Sequence, residues 1–179
     1  MSSVTGIISL LISQYSHLIT HIAPMKKHHY KTTLNWTGNK GTGTSDYRAY
    51  DRDHIISAEG KPDIPGSSDP SFRGDPSRYS PEDSLVGALS ACHMLWYLHL
   101  CAVNNVIVTG YKDEASGTMT ENNDGSGEFT EVLLRPRVTV KEASMMAKAN
   151  ELHHEANKMC FLARSMKFPV KHEPQAIAQ

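Results

Sequence analysis

The stretch SPEDSLVGALSACHMLWYLHLC, from Ser80 to Cys101, constrains this chain more than any other. It opens as a well-marked helix. Ser80 is a good N-cap, Pro81 suits the first helical position, and Asp83 completes a capping box. Past Leu85 the helix is apolar on nearly every face, and Asn104 and Asn105 offer plausible terminators. A helix of that kind is too apolar to face water on its own. With 179 residues, 39% of them hydrophobic, the chain is long enough for one domain with a real core, or for one domain and an appendage.

Around this helix the chain divides clearly. Residues 1–24 contain no Lys, Arg, Asp or Glu, yet their serines, threonines and histidines do not suit a membrane span. The basic start and small-residue cleavage site of a signal peptide are not found there either. Ile8, Leu11, Tyr15, Leu18 and Ile22 instead place one apolar stripe on a helix. The expectation is an amphipathic helical extension over 1–24, with Met25 as an alternative start, followed by one domain over 25–179. Tyr30 to Trp36 and Tyr47 to Ser57 read as strands joined by GNKGTG. A loop with four prolines and three glycines fills Gly60 to Tyr79. After the central helix come strands over Val106 to Ala115 and Glu128 to Val140, separated by ENNDGSG. A second helix, about Glu142 to Ala163, carries Met145, Ala149, Leu152, Ala156 and Met159 on one stripe. A short last strand is expected near Phe168 to His172. Strands, helix, strands, helix is an α+β order rather than alternating βαβ units.

The net charge of −1 recommends no nucleic-acid surface, and no membrane segment is expected. Three cysteines are an odd number in a chain that needs no disulfide staples, so a reducing, cytoplasmic setting is expected. Cys92 and Cys160 each read as lying deep in a helix, one in each. Small and polar neighbours, SA before Cys92 and FLARS after Cys160, set them apart from an inert buried thiol. Cys101 lies nine residues after Cys92, about 180° round the same helix, and reads as packing.

PEDSLVGALSACHMLWYLHLC, the later CFLARS and the spacing between them resemble the OsmC/Ohr family of thiol peroxidases. Glu82 precedes Cys92 by ten residues, and Cys160 follows Cys92 by sixty-eight. The likeness covers roughly Tyr30 to Val170 and leans to the OsmC-like branch, because the Cys-Pro run typical of the Ohr branch does not follow Cys160. The resemblance implies an OsmC-like fold, with antiparallel sheets around two central cysteine-bearing helices, in an intertwined homodimer. It implies a peroxidase that reduces organic hydroperoxides and admits hydrogen peroxide. Cys92 would become a sulfenic acid, Cys160 would condense with it to a disulfide, and an external dithiol of lipoyl type would reduce the pair. It calls for no metal, flavin or haem.

The residues give this chemistry physical sense. A thiolate attacks the O–O bond, but Cys92 sits in the third turn, beyond the reach of the helix dipole. A guanidinium is the natural partner for the thiolate and the departing oxygen. The family's arginine corresponds best to Arg73 in SFRGDPSRYSPE, with Arg78 and Arg52 as alternatives. Ten residues of helix span about 15 Å. Glu82 and Cys92 of one chain therefore cannot touch the same small peroxide, and Glu82 is expected to serve the cysteine of a second subunit. Two other readings compete. A zinc site from His93, His99, His153 and His154 with the cysteines is opposed by seven-residue spacings. A dimeric thiol protein that lacks peroxidase activity and binds small acyl or thiol compounds is the other.

Overall fold

In the computed structural model, which describes residues 26–179, every regular element falls within Thr33–Gln179. The helix expected over 1–24 lies outside the described residues. Strands β1 (Thr33–Trp36), β2 (His54–Ser57) and β3 (Ile64–Gly66) pair antiparallel in that order. Of the strand expected over 47–57, only the last four residues form. The segment before them coils around Arg52, whose Nη1 and Nη2 donate to the carbonyls of Tyr50 and Tyr47 at 2.7 and 2.9 Å. With those two carbonyls turned to the guanidinium, the segment keeps only an isolated bridge, Asn39 to Tyr50, and single bonds to the β1 side. The long loop over 60–79 contains β3 and a 3₁₀ turn, Pro70–Phe72, capped by Asp69.

The central helix, α1 (Pro81–Val103), is unbroken. Its capping box forms as the sequence predicts. The Ser80 hydroxyl accepts from the Asp83 N–H, and the Asp83 carboxylate accepts from the Ser80 N–H, both at 3.0 Å. Asn104 ends it, and Asn105 follows in the left-handed region at φ 58°. Leu89, His93, Tyr97 and Cys101 form its buried stripe at four-residue spacing. By length and composition α1 also meets the requirement for a membrane span, but only 22% of its most apolar 18-residue stretch is buried within the chain.

Four strands follow where two or three were expected: β4 (Val108–Asp113), β5 (Ser116–Glu121), β6 (Gly127–Leu134) and β7 (Pro136–Val140). Breaks fall between β4 and β5 and at Arg135, and Asp113 joins them. One of its carboxylate oxygens accepts the Arg135 N–H and the other the Ser90 hydroxyl of α1, each at 2.6 Å. The bend is thus fastened to the central helix. Gly117 permits the close approach of α1. A Cβ there would meet Phe129 at 2.7 Å and Val86 at 2.8 Å.

The second helix does not run through Cys160. A 3₁₀ turn, Ala143–Met145, leads into α2 (Met146–Met159); Cys160 then takes extended geometry, and α3 (Phe161–Ser165) begins anew. β8 (Val170–His172) and β9 (Gln175–Ala178) close the chain, β9 being an element the sequence reading lacks. The sheets are ordered β4-β7-β9 and β5-β6-β8. They are mixed, not purely antiparallel: β6 with β8 and β7 with β9 run parallel. The helical crossover from β7 to β8 is what makes a parallel return accessible. Tyr97, Cys101, Val138, Val140, Leu152 and Ala156 form the centre of one core cluster, and Leu89, Val132 and Leu134 that of a second.

Candidate active site

Cys92 projects from the middle of α1, and Cys160 occupies the single extended residue between α2 and α3. That break brings the two sulfurs to 2.7 Å, with the Cys160 thiol donating to Cys92. The Cys160 Sγ also accepts the Ala163 N–H at 3.4 Å, so it caps α3. Cys160 is 1% exposed, whereas Cys92 is half-buried. Burial, and after it the neighbouring Cys92 sulfur, push the Cys160 thiol up to about 11. Cys160 is therefore the protonated, shielded member of the pair, and Cys92 the member that solvent can reach. Cys101 points away into the core, where burial raises its titration.

The surroundings of the pair are apolar. Trp96 lies one turn beyond Cys92 and meets Phe161 edge-on, with ring centroids 5.5 Å apart. Leu95 and Phe161 are largely exposed.

Glu82 stands on the same continuous helix as Cys92, ten residues away, and makes no contact with it. Its Oε2 is buried without a hydrogen-bond partner. It lines a groove of about 560 Å³ with Tyr79, Asp83, Ser90, Asp113 and Phe129, while Asp113 and Asp83 are already bonded to hydroxyls or backbone N–H groups. Of the three candidate arginines, Arg52 lies 4.3 Å from the ring centroids of both Tyr47 and Tyr50, and Arg78 pairs with Asp53 at 3.3 Å and Asp75 at 3.5 Å. Arg73 adopts the left-handed region at φ 67° at the end of the 3₁₀ turn. Its guanidinium has no ion pair or hydrogen bond among the described residues, and Tyr47, 6.0 Å from it, is its aromatic neighbour. Within one chain, neither Arg73 nor Glu82 is brought to Cys92.

The histidines are arranged differently from the zinc reading. Among the described residues no group of three or more His, Cys, Asp or Glu has the geometry to hold a metal ion. His99 and His154 lie on exposed faces. His93 and His153 instead hydrogen-bond to each other at 3.0 Å in the core, and Tyr97 stacks on His153 at 3.8 Å. Burial, then the nearby His172, lowers His93 to about 4; burial, then His93 and His172, lowers His153 to about 3. His172 is held by Asn157 at 2.8 Å. Sequence reasoning did not find this stack or the Ser90–Asp113 brace. Both join residues far apart in the chain and have no local signal.

The sequence model of one family, described as OsmC-like protein, matches residues 74–175. An OsmC-like protein of unknown function from Vibrio cholerae has a similar structure, with 29% identity, a TM-score of 0.74, and coverage of 83% of this chain and 99% of that one. An organic hydroperoxide resistance protein from Elizabethkingia anophelis shares the fold at 13% identity and TM-score 0.60, over 86% of this chain and all of its own (100%). One from Bacillus subtilis does so at 16% identity and TM-score 0.54, over 84% and 98%. No curated protein matches the chain. The family match spans the central helix, both paired cysteines and the bent sheets, and on that ground the chain belongs to the OsmC-like proteins.

Proposed function

We propose that this protein is a thiol-dependent peroxidase that reduces organic hydroperoxides as an intertwined homodimer. One observation carries the reading: a reachable thiol, Cys92, lies 2.7 Å from a shielded one, Cys160. The Cys92 thiolate attacks the outer peroxide oxygen and the O–O bond breaks. The second oxygen leaves as the alcohol after taking a proton, and Cys92 becomes a sulfenic acid. The Cys160 thiol then attacks the Cys92 sulfur, water departs, and a disulfide forms. An external dithiol, for which the family suggests a lipoyl type, takes up the oxidising equivalents. The apolar surround of Leu95, Trp96 and Phe161 favours an organic peroxide over a hydrated one.

The dimer is supported by two features. Only 22% of the most apolar stretch of α1 is buried by its own chain, and Leu95 and Val103 stand exposed on it. The buried Glu82 oxygen lacks a partner, and an unpaired buried carboxylate oxygen costs about 1–3 kcal/mol or more. A second copy would cover the first and pair the second. Arg73 is the candidate guanidinium, because Arg52 and Arg78 are already engaged. In this account Arg73 and Glu82 complete the site around the other subunit's Cys92.

Single substitutions test the chemistry. Cys92→Ser should abolish consumption of cumene hydroperoxide. Cys160→Ser should consume about one equivalent and then stall at the sulfenic acid or beyond it. Cys101→Ser should turn over as the parent does. Full turnover in both the Cys92 and Cys160 variants would remove the proposal.

A further inference from the structure

A cleft of about 630 Å³ opens between the C-terminal half of α2, α3 and β8, on residues that the peroxidase reading does not use. This volume is in the range of small-molecule sites. Lys158, Arg164 and Lys171 line it, against one carboxylate, Glu173. The carboxylates that balance two of these cations are not among the lining groups: Lys158 pairs with Glu155 at 3.0 Å, and Lys171 pairs with Glu131. Glu173 itself leans toward Arg135 at 4.0 Å. Arg164 is different. Its guanidinium has no ion pair or hydrogen bond among the described residues. The wall beside it is firm, because the half-buried Asn157 side chain donates to the Val170 carbonyl of β8 at 2.9 Å. With Lys158 and Lys171 offset by their own carboxylate partners, Arg164 is the cation left to meet an anion. An unpaired guanidinium presents the planar fork that matches a carboxylate or a phosphate in bidentate fashion.

We propose that this cleft is a binding site for a small oxyanion, a carboxylate- or phosphate-bearing molecule, with Arg164 as its principal ligand and Lys158 and Lys171 as supporting charges. The site adjoins the thiol pair, since the Ala163 that lines it donates its N–H to the Cys160 Sγ, but its argument does not depend on the peroxidase reading. Calorimetric titration of the full reduced protein at low ionic strength tests it, with inorganic phosphate in one arm and citrate in the other. Saturable binding of either anion supports the site, and which of them binds tells phosphate from carboxylate chemistry. Arg164→Gln should weaken that binding by about 10-fold or more, as expected for a lost charged hydrogen-bonded pair. Arg48→Gln, which alters an exposed cation far along the chain, should leave it unchanged. A thermal melt matching the parent's confirms that the Arg164 variant is folded. Absence of saturation by both anions up to about 10 mM, or equal affinity in parent and Arg164→Gln, overturns the proposal.

Discussion

Cys160 is the one extended residue between two helices, and that geometry lets its sulfur both cap α3 and reach Cys92. A continuous helix would have turned the same thiol along its stripe. Their neighbours set Cys92 and Cys160 apart and the family resemblance implied that they pair, but the break that lets them meet was not legible, since nothing in NKMCFLARS marks one. The histidines show the same limit. Their types and positions were plain, but a neutral stack in the core depends on contacts between α1, α2 and β8. That stack has a consequence for pH. His93 and His153 titrate near 4 and 3 in the fold, against 6.5 for the free side chain. Above about 6.5 both states are neutral and the pair contributes nothing to the pH dependence. Below it the unfolded chain takes up protons that the folded one refuses, so stability falls as the pH falls toward 4. His172 and Tyr97, packed against the pair, offer no carboxylate to offset this. Urea unfolding should lose roughly 3–5 kcal/mol between pH 6.5 and 4.5 from these two groups. A flat profile across that window would contradict the neutral stack.

At the scale of elements, α1 was legible because its signals are local: a capping box, a proline at the first turn, and apolar residues without a polar face. The sheets were less so. The bends at Glu114–Ala115 and Arg135 depend on the Asp113 brace, and the parallel placement of β8 and β9 follows from the crossover rather than from any residue within them. The uncovered face of α1 carries Gly87, Ala88, Ala91 and Leu95, all exposed in the single chain. Small residues let a second helix approach closely, and Leu95 supplies the apolar area. If this face joins two copies, Leu95→Lys places a charge in the contact at a cost on the order of several kcal/mol. Sedimentation at low micromolar concentration should then show the mass of one chain where the parent shows two. Parent and variant with the same dimeric mass would exclude this face as the interface.

For the whole molecule, the family and its α+β fold were readable from two cysteines, one glutamate and their spacing. A partner subunit was expected from the resemblance and from distance together, since α1 is unbroken and ten residues of helix put Glu82 about 15 Å from Cys92. A site shared across a two-fold axis makes a quantitative claim. Cys92→Ser and Glu82→Ala chains, each inactive or nearly so alone, should recover up to about a quarter of parental turnover after subunit exchange. Half the dimers are then mixed, and each mixed dimer has one intact site. No recovery with exchange confirmed would place each site within one chain.

The central claim is that Cys92 and Cys160 form one redox pair, and disulfide mapping by mass spectrometry tests it most directly. The fully reduced protein, with all three thiols free, is treated with one equivalent of cumene hydroperoxide, digested and mapped. The account predicts the loss of two thiols per chain, a Cys92–Cys160 link within the chain, Cys101 still free, and the peroxide converted to its alcohol. Three thiols remaining beside unreacted peroxide, or a link through Cys101, would contradict it.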